Sequence, residues 1–200
     1  MERKGYSAGA VKMSFWFVEF RKVVDLLDQG KSIDEIRTLA LNENLFAAPT
    51  ALRASQIYST VTGRIKSLDQ SFVPLFQKSD LATQKLFALV AAMAYDTLFF
   101  DFIYEVIREK MILGSNELMD RDVRVFFKDK QQQNEKVAGW TDATLVRLGK
   151  CYKTMLYEAG VIDKAKAART ILRPILDPEL VRWLEQNNMG VYVKALAGVR

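Results

Sequence analysis

The residues whose type and spacing point to chemistry are the cations between Arg147 and Arg173. Arg147, Lys150, Lys153, Lys164, Lys166, Arg169 and Arg173 stand there against only Glu158 and Asp163. Of 29 basic and 24 acidic side chains in the 200 residues, that stretch holds seven and two, which leaves 22 of each sign elsewhere. The whole net charge of +5 is therefore carried by one segment. A localised excess of this kind is the footprint of an anion-binding face, phosphate first among candidates, and the plain alternative is a solvated, lysine-rich surface.

The absent residue types are equally informative. The chain has no histidine, which removes His-based acid–base catalysis, Ser-His-Asp and Cys-His nucleophile systems, and every His-containing metal site. Cys151 is the only cysteine, so no intrachain disulfide and no Cys-rich zinc site can form. The sequence carries no P-loop and no dinucleotide fingerprint. Asp101 and Glu105 share a helical face, but Arg108 follows three residues later and makes an ion-pair strip the simpler reading. The expectation is a non-enzymatic protein that needs no metal or other cofactor.

These cations need elements to position them. Half the residues are hydrophobic and 26% are charged, enough for a buried core. Periodicity is helical nearly throughout. Helices are expected over residues 14–29, 32–41 (opened by a Ser32–Glu35 capping box), 50–68, 80–94, 96–111, 120–133, 142–159 and 179–186. Leu86–Tyr95 is apolar but spans only half a bilayer and reads as a buried core helix, so neither a membrane span nor a signal peptide is expected. A reducing, cytoplasmic location fits the lone cysteine.

In the basic half, a helix to Gln133, a turn at Gly139-Trp140-Thr141, a helix from Asp142 and then a hairpin follow in order. The hairpin would join Val161-Ile162 to Arg169–Leu172. This is the order of a winged helix-turn-helix, whose second helix enters the DNA major groove while the wing touches the backbone. The expected fold is thus mostly α: an N-terminal helical domain over 1–114, and a winged helix-turn-helix with a short β-hairpin wing over 115–200.

Thr141, Thr144, Arg147, Lys150, Lys153 and Thr154 would supply the helix contacts, and Lys164, Lys166, Arg169 and Arg173 the wing. The lysines would hold phosphate, and the Arg147 fork suits a guanine edge. A second helix-turn-helix is conceivable over 32–68, with Arg53, Gln56, Thr60 and Arg64 facing outward as a further DNA contact.

Longer blocks carry a family resemblance. SAG at Ser7, KMSFWFVEF from Lys12, SDLATQKL from Ser79, LFFDFIYEVIREKMILG from Leu98, FFKDKQQQNEKVAGWTDATLVRL from Phe126, EAGVI from Glu158 and RPILDPEL from Arg173 together resemble the BrxA family. That family is the small non-enzymatic component of bacteriophage exclusion (BREX) systems. The resemblance implies a role in phage defence beside a DNA methyltransferase, an ATPase and a phosphatase-like partner. It also implies binding of double-stranded DNA. A NusB-like description attached to some members implies RNA instead, and a protein-only scaffold is the third reading. The resemblance supplies no site residues, so those above rest on charge and spacing.

Overall fold

A computed structural model of the chain describes residues 5–165 and 168–200. Contacts divide it into two compact units: Trp16–Tyr95, and the residues up to Phe15 with Asp96–Arg200. Gly114, expected to mark a boundary, lies inside the second unit. It caps helix α7 in the left-handed region (φ +72°), and the Ser115 amide donates to the Lys110 carbonyl at 2.9 Å.

The first unit is five helices: α1 (Phe17–Asp28), α2 (Ile33–Asn42), α3 (Ala51–Ile65), α4 (Phe72–Lys78) and α5 (Leu81–Tyr95). The Ser32–Glu35 capping box forms in full at the start of α2, and the Thr50 hydroxyl accepts from the Arg53 amide to open α3. Phe20, Phe72, Phe76 and Phe87 make the core, with ring centroids 5.8–6.2 Å apart in tilted and edge-on pairs. Helix α5 is buried continuously from Leu86 to Met93. That burial explains its apolar run without a bilayer, and among the described residues no single helix is long and apolar enough to cross a membrane.

The second unit has a 3-10 turn at Gly9–Lys12 and resumes with α6 (Thr97–Phe102), a π-helical turn (Ile103–Ile107) and α7 (Arg108–Ile112). The Asp96 carboxylate accepts the Leu98 and Phe99 amides and starts this run. There follow β1 (Glu117–Met119), α8 (Asp120–Gln133), the single turn α9 (Glu135–Ala138), α10 (Asp142–Glu158), β2 (Ala168–Thr170), α11 (Pro178–Gln186) and α12 (Gly190–Ala197). Phe99, Phe102 and Phe127 pack around Tyr152 of α10, the largest fully buried side chain among the described residues, and Phe126 packs on Phe102 and Phe127.

The small sheet differs from expectation. Strand β2 pairs antiparallel with β1, in the register Glu117↔Thr170, Leu118↔Arg169 and Met119↔Ala168. The expected partner segment pairs with it as well, through the antiparallel bridge Ile162↔Ile171, with the Leu172 amide donating to the Val161 carbonyl at 2.8 Å and the Asp163 amide to the Thr170 carbonyl at 3.0 Å. The chain is mostly helical, with this one small sheet among the described residues.

Candidate nucleic-acid interface

Helix α10 carries the candidate face. Its buried stripe is Leu145, Leu148, Gly149, Tyr152, Met155 and Leu156, spaced three and four apart as a one-sided helix requires. That stripe turns Arg147, Lys150 and Thr154 to solvent. Thr141 is the N-cap: its hydroxyl accepts from the Thr144 amide at 3.3 Å and lies 3.1 Å from the Thr144 hydroxyl. The Thr154 hydroxyl donates to the Lys150 carbonyl at 3.0 Å, so it is engaged with its own helix.

The basic set splits into committed and uncommitted groups. The Lys153 ammonium donates to Asp120 Oδ1 at 2.5 Å, and Arg169 Nη1 donates to the same oxygen at 3.2 Å. Asp120, the first residue of α8, thereby ties α10 to β2. The Lys153 hydrogen bond, opposed by burial, holds the Asp120 carboxyl below the usual carboxylate range, with the Lys153 and Arg169 charges adding to it. Arg173 donates to the Gly198 carbonyl at 3.0 Å. Lys164 is exposed, and Lys166 lies outside the described residues. The loop before β2 is held by Asp163 Oδ1, which accepts the Ala165 and Thr170 amides at 3.1 and 3.0 Å.

Charge counting along the chain missed two cations. Arg124 and Lys128 are exposed on α8, one turn apart, beside a groove of about 400 Å³ between α8 and α10 that Lys150 also lines. Their spacing by four on a helix with Val123 and Phe127 inward was the available signal. The two helices approach closely at the groove floor, where a Cβ on Gly149 would meet Val123 Cγ1 at 2.6 Å.

Of the second expected DNA contact, Arg53 and Gln56 are half-buried and Thr60 and Arg64 are buried. Thr60 is 5% exposed and Arg64 3%, both inside the first unit. The Arg53 guanidinium stacks 4.8 Å from the Trp16 ring centroid and donates to Gln56 Oε1 at 3.3 Å. Helix α3 packs against α1, α2 and α5, which covers more of its circumference than a single apolar stripe predicts.

The carboxylates Asp101 and Glu105 form the expected structural ion-pair cluster, with a different cation. Lys130 donates to Glu105 Oε1 at 2.6 Å and stands 3.7 Å from Asp101 Oδ2. The Tyr6 hydroxyl donates to Asp101 Oδ2 at 2.6 Å. Arg108 instead pairs with Glu109, donates to the Val199 carbonyl and stacks on Tyr104. Cys151 is half-buried, and burial pushes its thiol up against the opposing pull of Arg147.

The solved structure of an uncharacterized protein from Magnetospirillum magneticum has the same fold, with a TM-score of 0.80 at 20% identity over 96% of this chain and 98% of that one. The BREX protein BrxA of Bacillus cereus (strain H3081.97) is 37% identical over 182 residues, 91% of each chain. The BREX protein BrxA of Escherichia coli O9:H4 (strain HS) is 21% identical over 91% of this chain and 85% of its own length. The BrxA family model matches residues 4–188. With nearly the whole chain matched, and with 37% identity to a relative covered almost end to end, this chain belongs to the BrxA family.

Proposed function

We propose that the protein is a non-enzymatic component of a BREX phage-defence system that binds double-stranded DNA and positions partner proteins on it. The BREX assignment follows from the family and its curated relatives. The DNA reading rests on one observation above all: Arg147 and Lys150 stand exposed on one face of α10, without an ion pair among the described residues, downstream of a capped N-terminus. The order β1, α8, α9, α10, loop, β2 supports a winged helix-turn-helix assignment for this unit, with α10 as the helix that enters the major groove and the loop before β2 as the wing. Arg147 would offer its fork to a base edge, and Lys150 and Lys164 would hold phosphate. The other BREX proteins, among them the methyltransferase, the ATPase and the phosphatase-like component, are the partners this role requires.

The test is competition at matched salt between duplex DNA, structured RNA and single-stranded RNA, with the double variant Arg147→Glu, Lys150→Glu alongside. The expected result is duplex preference, lost in the folded double variant. Preference for RNA would favour the NusB-like alternative, because a deep, narrow A-form major groove does not admit a helix in this way. Undiminished duplex binding by the double variant would remove α10 from the interface. No salt-dependent nucleic-acid binding at all would leave a protein-only scaffold.

A further inference from the structure

The groove between α8 and α10 has two chemistries that a DNA backbone does not use together. Its walls are apolar, built from Val123 and Phe127 of α8 and Leu145 and Val146 of α10. Val146, 53% exposed, contributes its side chain to that wall. Its rims are basic: Arg124 and Lys128 on one side and Lys150 on the other make no ion pair among the described residues. The fourth cation, Lys153, is neutralised by Asp120, and Asp142 at the first turn of α10 is the only other acid on the lining.

We infer that this groove is a docking site for a segment of another protein that carries apolar side chains flanked by carboxylates. Charge complementarity chooses the occupant. Rim cations across from one another would each take a carboxylate, and the apolar walls would take the side chains between them. About 400 Å³ lies at the small end of ligand-sized clefts, so the groove receives a few anchoring side chains rather than a whole helix. A duplex would satisfy the cations but leave Val146 and the walls facing phosphate, without any gain from their burial. The exposed stripe of Arg147 and Thr154 lies round the helix from the groove, with Lys150 between, so the two sites are neighbours and not the same surface. The inference rests on the BREX assignment only for the source of the segment, another protein of the same system.

The test uses the full chain and a set of labelled, overlapping 15-residue peptides that tile the other proteins of the same BREX system, read by fluorescence anisotropy. Peptides that pair apolar residues with Asp or Glu are expected to bind, and basic peptides of equal hydrophobicity are not. Val146→Ser, an uncharged change at an exposed position, should weaken the best peptide several-fold and leave duplex binding within twofold. Arg124→Glu with Lys128→Glu should also weaken the peptide, and Arg147→Glu should weaken duplex and spare the peptide. Three results overturn the inference: no acidic-apolar peptide binds above an oligo-glutamate control, Val146→Ser leaves peptide binding unchanged, or Val146→Ser weakens duplex and peptide equally. The last would assign the groove to the nucleic-acid face. Failure of duplex binding with the peptide effects intact would sink the DNA reading alone.

Discussion

Asp120 sets how much of the basic segment is available to a ligand. Its carboxylate holds both Lys153 and Arg169, so phosphate must compete with it for two cations. Its carboxyl is held below the ordinary carboxylate range, so the pair's contribution is complete above the unfolded carboxyl's pKa and is lost only as pH falls through the lowered folded value. At neutral pH the clamp is closed. Replacing Asp120 by Asn removes the charge and keeps the shape. The Asp120 side chain is 52% exposed, so the loss of stability should be no more than about 1 kcal/mol.

The DNA effect should be larger. Lys150 and Lys164 engaging phosphate would give a log–log salt slope of about −1.8, and freeing Lys153 and Arg169 would steepen it to about −3.6. Between 50 and 200 mM salt the wild type should then lose about 12-fold in duplex affinity and Asp120→Asn about 150-fold. Lys166, outside the described residues, would add equally to both. Fluorescence anisotropy on one labelled duplex across that salt range measures the difference. At 50 mM the variant should bind tighter. An unchanged slope, or weaker binding at 50 mM in a folded variant, would show that Lys153 and Arg169 never face the duplex.

Two predictions concern the core beneath this face. Lys130 is buried, and although burial alone would lower its pKa, the Glu105 hydrogen bond and charge, followed by Tyr6 and Asp101, hold it above the ordinary lysine value. Lys130→Met should therefore cost about 3 kcal/mol by leaving the buried Asp101 carboxylate without its cation, while Glu105, 46% exposed, turns to water, measured by urea denaturation; a cost under about 1 kcal/mol would refute the cluster's role. In the wild type this contribution is present below the unfolded lysine pKa and should fade as pH rises through the raised folded value, seen as a falling Tm in alkaline buffer. Tyr152 buries a hydroxyl that has no hydrogen-bond partner among the described residues, and burial drives its pKa well above the usual tyrosine value, with Asp96 the largest of the nearby charges that add to it. Tyr152→Phe should leave Tm unchanged or raise it by the equivalent of about 1 kcal/mol, and a clear destabilisation would mean the hydroxyl has an unrecognised acceptor.

Capped, one-sided helices were the legible part of the sequence. Thr141 and Asp142 start α10, and its apolar residues three and four apart define which side chains face out. Ser32 and Glu35 fix the start of α2 in the same local way. What escaped depends on neighbours distant in the chain. Strand β1 is three residues long, too short for an alternating pattern, and exists because β2 pairs with it from about fifty positions away. Thr60 and Arg64 look outward on an isolated wheel, but α3 has packing partners on several sides. Gly114 caps a helix as Gly30 and Gly160 do, with positive φ at all three, so a glycine after a helix marks a helix end and carries no information about a domain boundary.

A charge count along the chain and the charge a surface offers are different quantities here. Lys153 and Arg169 belong to the basic segment in sequence, yet both are paired with Asp120, where they join α10 to β2. Arg124 and Lys128 lie outside that segment, yet they stand on the rim of the same surface. Among the described residues, exposed cations without an ion pair therefore stand on α8 and α10 as well as at Lys164 before β2. Lys150 sits where the exposed stripe of α10 meets the groove, so one ammonium is common to the proposed duplex face and the proposed peptide groove. A carboxylate docked on Lys150 takes away one phosphate contact, and by linkage a duplex on α10 weakens the peptide by the same factor. Partner docking and DNA binding on this unit are then not independent events, and the size of their coupling is set by a single side chain.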